Sequence, residues 1–577
     1  MSMKKDYQSE KIWNVATADK ISQMSGDYSQ SFKELLSTRG IYDDIAADIF
    51  INPKYEDLTS PDEIPGILEA VSVIVDACSA NKKIAIYGDY DVDGVTATAI
   101  LSDFFSKNGI STLNYIPSRF DQGYGLNKEA IKEIFDNGVR LIITVDCGSS
   151  SSKEVEYAKS LGLRIVITDH HTLSLDKEGI AIIPGSDAFV NCQQSKEVAL
   201  RDLSGAGVAF YLVRALMTHF KDTYSEGQEK WLLDLVALGT ICDIVPLTND
   251  NRILAKYGLK VLSKSKRLGI VELSKVAEFS LANVDSGKVG FVIGPRLNAA
   301  GRIEHARDAL NLLLTSDQDE AEKLATKLDV LNRERQEITE KIVESAIEII
   351  ENEGNTKPLY LLSGDKWPAG VVGIVASRLV DRYGKPMLVM EDMGEELKGS
   401  ARSINDFNIV DALNKSSDLL IKFGGHAYAA GFNLKKDKFI LLENKLIEIA
   451  RAQIKTDNLK PIINIDEVIK VDEISTNFID ELSKMEPFGR GNARPVFSMA
   501  NVKISSAKLV GNPPVHLKLD IAGSDKNIGG IAFGYGEKLD IKLDARYDLA
   551  FILEINEWNQ MKRPEFRLID LRKTLEA

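Results

Sequence analysis

Cysteine is scarce: Cys78, Cys147, Cys192 and Cys242 are the only ones among 577 residues, and no two form a CxxC pair. That excludes a disulfide scaffold and a thiolate-built zinc framework, and reads as reduced thiols. Long hydrophobic runs are missing too. No apolar stretch reaches membrane-spanning length. The opening MSMKKDYQSEKIW lacks the apolar core of a signal peptide, so the expected location is cytoplasmic. Internal repeats and low-complexity segments are absent. There is no excess of positive charge either: 71 Lys and Arg against 85 Asp and Glu leave a net charge of −14.

What is present is ample apolar content, 44% of residues, enough for several packed domains. The most informative stretch is YGDYDVDG, Tyr87 to Gly94, which follows the apolar run Lys83 to Ile86. Its aspartates Asp89, Asp91 and Asp93 alternate. If the strand continues at period two, all three carboxylates point to one side. Like charges so close repel and raise each other's pKa unless cations sit among them, and hard oxygen donors suit Mg2+ or Mn2+. A solvated acidic turn is the plain alternative.

Two further apolar runs end in candidate ligands: Leu141 to Asp146 (LIITVD) and Arg164 to His171 (RIVITDHH). Helix-like segments, Gly94 to Lys107, Asn127 to Asn137 and Ser152 to Leu161, lie between the strands. Such alternation implies a parallel sheet covered by helices, with ligands bound beyond the carboxyl ends of the strands. Asp146, Asp169, His170 and His171 all fall there, and Asp243 follows the apolar helix-like run Leu232 to Ile241. Cys147 and Cys242 flank these ligands and read as small buried side chains at tight turns.

These motifs carry a resemblance. GDYDVDG, VDCG, DHH and the CDIVP segment resemble, in order and spacing, the four metal-binding motifs of the DHH phosphoesterase superfamily. PRLNAAGRI (Pro295 to Ile303), GSARS (Gly399 to Ser403) and FGGHAYAAG (Phe423 to Gly431) resemble that family and its DHHA1 domain. INPKYEDL near the start and PFGRGNARPVF (Pro487 to Phe497) extend the likeness over nearly the whole chain, toward the single-strand-specific exonuclease branch.

The resemblance implies two divalent cations, Mn2+ or Mg2+. Asp146 would bridge them, Asp91 and Asp89 would hold one, and Asp93, His170 and Asp243 the other. His171 would be left to touch the scissile phosphate, with Asp169 orienting a histidine from behind. Asn298 and Arg302 would brace the phosphate, an ion pair within the protein being the alternative for Arg302. Ser400, Arg402, Gly424, Gly425 and His426 would recognise a 5′-phosphate, the last three as a glycine-rich turn offering amides and an imidazole. Two departures stand out: Tyr87 replaces a histidine common in relatives, which makes Asp89 the substitute ligand, and Trp367-Pro368 replaces a Trp-His pair.

The expected activity is metal-dependent 5′ to 3′ exonucleolysis of single-stranded DNA to 5′-mononucleotides, in recombination and repair. The expected partners are single-stranded DNA, single-strand-binding protein and a helicase, with no membrane and a monomeric chain. The negative charge then requires a local basic channel on an acidic body. Two alternatives are a phosphodiesterase of the same superfamily acting on very short oligonucleotides or nucleotide phosphates, and a non-catalytic replication scaffold with damaged metal motifs. The intact carboxylates speak against the scaffold.

The expected fold class is α/β: a DHH parallel-sheet domain joined by a long helix to a smaller DHHA1 α/β domain, then an OB-fold β-barrel. The corresponding divisions are about 1–55 for a lead-in, 56–315, 316–354 for the connecting helix, 355–458 and 459–577. Asp319 to Glu353 has no Gly or Pro, and its Leu324, Leu328, Leu331, Ile338 and Ile342 recur at helical spacing for packing against both neighbours. From about residue 460, short alternating strands such as Val515 to Ile521 and Leu549 to Ile555 suit a small barrel that tracks single strands.

Overall fold

The computed structural model describes residues 11–17, 22–119, 125–176, 178–454, 461–523, 527–536, 541–543, 545–558 and 561–574. The opening residues 1–10, on which the expected lack of a leader rests, lie outside the described residues.

The first sheet runs Thr112–Tyr115, Ile84–Tyr87, Leu141–Val145, Arg164–Asp169, Ala188–Asn191, every pair parallel. Ile84–Tyr87 and Leu141–Val145 are buried throughout because helices cover both faces, which is why they read as unbroken apolar runs. In chain order the strands are arranged 2-1-3-4-5. The connections therefore diverge between Ile84–Tyr87 and Leu141–Val145, leaving a crevice at their carboxyl ends.

The helix Gln318–Asn352, 35 residues long and so about 52 Å, leaves this domain. Ala325, Leu328 and Leu331 join the core of the first domain, whereas Ile342, Ala346 and Ile350 join that of the second. The apolar stripe is thus packing at both ends. The second domain has a mixed sheet in the order Lys422–His426, Ala429–Lys435, Glu396–Arg402, Met387–Asp392, Tyr360–Gly364. The third module is a closed barrel of Phe497–Val510, His516–Ala522, Asn527–Ala532, Met561–Lys573 and Arg546–Trp558, the last pairing back onto the first.

The N-terminal segment is built into this third module. Ile12–Val15 pairs in parallel with Ile462–Ile465, and Phe32, Leu35 and Leu36 share one core with barrel residues Phe497, Leu519 and Phe551.

Candidate metal centre and phosphate cleft

The strand Ile84–Tyr87 stops two positions before Asp89, so the three aspartates do not continue it as a period-two extension. The reason is a helix start. Asp91 is the N-cap of Val92–Lys107, its Oδ1 accepting from the N–H groups of Asp93 (2.9 Å) and Gly94 (3.2 Å), which outcompetes extended backbone here. Gly94 is required at this turn: a Cβ would lie 2.5 Å from the backbone nitrogen of Asp89. Asp93 turns inward and accepts from the amides of Gly205 (2.5 Å) and Ala206 (2.9 Å), at the N-terminus of the helix Gly205–Leu216.

Asp146 follows the strand Leu141–Val145 with φ 59°, a conformation unusual for a residue with a side chain. It is buried, and Nε2 of His170 lies 3.0 Å from its Oδ1. The same nitrogen is 3.7 Å from Asp93 Oδ2 and 3.6 Å from Asp243 Oδ2. Asp169 faces the other way: its Oδ1 accepts from the backbone amides of His170 (2.8 Å) and His171 (3.2 Å) and lies 2.7 Å from His171 Nδ1. Its Oδ2 accepts from the Ser149 amide (2.9 Å).

Donor atoms of Asp89, Asp91 and Asp146 lie within 4.8 Å of one another, as do those of Asp93, His170 and Asp243, and those of Asp146, His170 and His171. Tyr87 takes no part: its hydroxyl donates to Gly125 O (2.9 Å) and its ring stacks on Tyr115.

The electrostatics follow from carboxylates crowded together out of water. Burial and then Asp91 push Asp93 up to about 7. Burial, then Asp93 and Asp91, push Asp243 up to about 9. Asp146 and Asp89 are raised well above the carboxylate range, by burial and then by Asp93 for the former and Asp91 for the latter. Burial, then His171, holds His170 down at about 4, the neutral form a ligand needs. Burial would lower His171 as well, but the bond to Asp169 prevails and lifts it to about 9. The buried Oδ1 of Asp89 has no hydrogen-bond partner. A hard divalent cation answers both the repulsion and the orphaned oxygen.

A pH dependence follows with a definite sign. Unfolded carboxylates titrate near about 3.9, so above that pH the metal-free native state holds protons that the unfolded chain has lost, and stability falls as pH rises. The loss is complete for Asp93 above about 7 and for Asp243 above about 9. The stabilisation of His171 is full below about 6.5 and is lost through about 9, in the same direction. The melting temperature of EDTA-treated protein should therefore drop between pH 6.5 and 9, with Mn2+ restoring most at the alkaline end; a rise over that range would contradict this reading of the site.

Across the crevice stands a set of arginines. Arg302, on the helix Gly294–Ile303, donates from Nη1 to Gly370 O (3.0 Å) in the second domain. It makes no ion pair among the described residues, and burial, followed by Arg119 and Arg335, lowers it to about 10. Arg119 stacks on Tyr90 at 4.1 Å, and the buried Nε atoms of Arg119 and Arg335 have no acceptor. Asn298 Oδ1 accepts from the Val92 amide (3.2 Å), tying this helix to the aspartate motif. Arg119 and Arg302 thus bring positive charge beside Asp89 and Asp91.

Ser400 and Arg402 lie on one face of Glu396–Arg402, joined by Nη1 to Oγ at 2.9 Å. Gly424, Gly425 and His426 are not a turn; they belong to the exposed edge strand Lys422–His426, and the turn lies beyond them. Pairing with Ala429–Lys435 overrides the glycines' turn preference. Its register still sets Gly424 in line with Gly431 and Ser400, and His426 in line with Ala429 and Arg402. Trp367 is buried, and Pro368 caps the helix Ala369–Tyr383, the region that receives Arg302.

Arg119 and Arg335 were not singled out from the sequence. For Arg335 a signal existed: it stands at the helical position between Leu331 and Ile338 where the apolar stripe of the long helix calls for an apolar residue. Arg119 sits in a loop without pattern.

A buried carboxylate-histidine cluster at the switch point of a parallel sheet, facing arginines with unanswered donors, defines a metal-dependent phosphoesterase. Family models match in that sense: the DHH family N-terminal domain over residues 83–240, the DHHA1 domain over 355–456 and the RecJ OB domain over 465–570. The single-stranded-DNA-specific exonuclease RecJ of Bacillus subtilis is 38% identical over 541 residues, covering 93% of this chain and 67% of its own. That of Haemophilus influenzae is 36% identical over 521 residues, covering 87% and 89%. The crystal structure of RecJ in complex with Mn2+ from Thermus thermophilus superposes with a TM-score of 0.82 at 27% identity, covering 98% of this chain and 80% of that one. The chain belongs to the RecJ family.

Proposed function

We propose that this chain is a divalent-cation-dependent exonuclease that degrades single-stranded DNA from the 5′ end to 5′-mononucleotides, in recombination and repair. One observation carries the reading: three overlapping ligand groups, joined through Asp146 and His170, lie beside Arg119, whose buried Nε lacks an acceptor. Asp89 and Asp91 serve one cation, Asp93, His170 and Asp243 the other, and Asp146 both. Two such cations, when bound, lower the pKa of water and neutralise charge on the attacked phosphate. His171, kept protonated by Asp169, donates to the scissile phosphate. Arg302 supplies fixed positive charge to the same group, and Asn298 keeps its helix against the aspartate loop.

Ser400 and Arg402, with Gly424, Gly425 and His426 in register, receive the terminal phosphate and so set the direction of attack. The barrel follows the strand further along. We divide the chain near residues 55, 315, 354 and 458. A cytoplasmic setting with single-strand-binding protein and a helicase as partners fits this reading. A phosphodiesterase confined to very short oligonucleotides would have no use for the barrel.

Arg402→Ala tests the polarity. A charge-assisted hydrogen bond to phosphate contributes roughly 1.5 to 3 kcal/mol, about 10- to 150-fold in binding. The variant should lose that factor on 5′-phosphorylated strands and much less on 5′-hydroxyl strands. Equal losses on both would place Arg402 at an internal phosphate or in the scaffold.

A further inference from the structure

We infer that residues 485–492, which belong to the barrel module, are the positioning element of the Asp243 ligand, so that docking of the barrel completes the cation site of Asp93, His170 and Asp243. The inference rests on Asp243 being a ligand, as proposed above.

Asp243 caps the C-terminus of the helix Leu233–Cys242, its amide donating to Gly239 O at 2.9 Å. The next residue, Ile244, has φ 59°, a conformation that a β-branched side chain disfavours, and it is 65% exposed, so its own burial does not compensate. Within the catalytic domain the loop is held from one side, by Asn251 Nδ2 donating to Pro246 O at 3.1 Å.

The other side is supplied by the barrel module. The Leu247 amide donates to Arg490 O at 2.7 Å. Gly489 lies so close to buried Leu247 that a Cβ would be 2.6 Å from its Cδ1. Gly491, at φ 76°, would bring a Cβ to 3.1 Å from Thr248 Cγ2 and 3.2 Å from Pro246 Cβ. The 489–491 backbone is thus fitted against 246–248 at every residue.

This loop is itself rigid and anchored. Gly489 and Asn492 exchange backbone hydrogen bonds (2.9 and 3.1 Å), and Asn492 Nδ2 donates to Met485 O (2.8 Å) and Pro487 O (2.9 Å). Its root is held by Arg252 of the catalytic domain, which donates to Met485 O (3.0 Å), Glu486 O (3.1 Å) and Phe50 O (2.8 Å). Ser286 Oγ donates to Phe488 O at 2.6 Å. These bonds run from the barrel module through the loop to the segment that carries Asp243. A loop that merely joined two domains would have no effect on cation affinity.

The test uses the full chain. Asn492→Ala removes the side-chain bonds to Met485 O and Pro487 O and touches no ligand of the centre; Gly491→Ala removes no bond and presses on Pro246 and Thr248. Mn2+ binding is measured by titration calorimetry, beside the Mn2+ dependence of hydrolysis, with Asp243→Ala as reference. Supports behind metal ligands typically contribute 10- to 100-fold to affinity. Both variants should weaken one Mn2+ site by about tenfold and leave the other unchanged, with KM for the strand unchanged and turnover recovering at saturating Mn2+. Should Asn492→Ala fail to fold, Gly491→Ala carries the test. Isotherms that overlay wild type while Asp243→Ala is shifted would overturn the inference alone. An Asp243→Ala isotherm equal to wild type would instead remove the ligand assignment, and the inference with it.

Discussion

Asp146→Ala is expected to abolish hydrolysis and leave a folded protein. Asp146 is the residue common to the group with Asp89 and Asp91 and the group with His170 and His171, and His170 also closes the group with Asp93 and Asp243. Its removal takes a ligand from the two groups it belongs to and, through His170 at 3.0 Å, disturbs the third. Stability should change little. The left-handed φ of 59° suits alanine less than aspartate, costing about 1 kcal/mol, but a buried carboxylate repelled by Asp93 and Asp91 disappears with it. Asp146→Asn preserves shape and backbone preference while removing the charge, and should be equally inactive. Circular dichroism should match wild type, and calorimetry should show Mn2+ binding lost. Turnover near wild type in either variant would contradict a shared ligand.

Deleting the chain beyond about residue 458 is the second large effect, and here the structure changes the expectation. The modular reading predicts that the metals and phosphate cleft survive and that only long strands bind less well. In the structure the cut leaves Ile12–Val15 without its partner strand Ile462–Ile465 and opens the core shared by Phe32, Leu35 and Leu36. Buried Arg252 loses the Met485 and Glu486 carbonyls, and hydrogen bonds of charged groups are worth about 1.5 to 3 kcal/mol each. The truncated protein should be poorly soluble, and any soluble fraction should hydrolyse even a dinucleotide at least about tenfold more slowly, by the tenfold-per-1.4-kcal/mol rule. A soluble truncation with wild-type turnover on short substrates and a raised KM only on long ones would restore the modular view.

The buried parallel strands were legible in the sequence because a short apolar run that ends in an aspartate suits a covered strand opening onto a polar site and suits little else. The helix Gln318–Asn352 was legible because 35 residues without Gly or Pro keep one period. Convergence of Asp89, Asp91 and Asp93 was legible, but its means was not: a cap at Asp91 stands where alternation implied a strand, since local hydrogen bonding overrides alternation. Gly424 and Gly425 looked like a turn because glycine marks turns, whereas strand pairing, a non-local interaction, placed them at a sheet edge. Arg119, Arg335 and the contacts of residues 485–492 with the Asp243 loop depend on tertiary placement, so no spacing announces where they meet.

The most direct measurement is hydrolysis of one single strand of DNA, labelled at either end and 5′-phosphorylated, by the full chain in Mn2+ and in EDTA. The account expects the 5′ label to leave first, as a mononucleotide, while the 3′-labelled strand shortens progressively, and nothing to happen in EDTA. Early release of the 3′ label as a mononucleotide, internal fragments, or hydrolysis that persists in EDTA would contradict it.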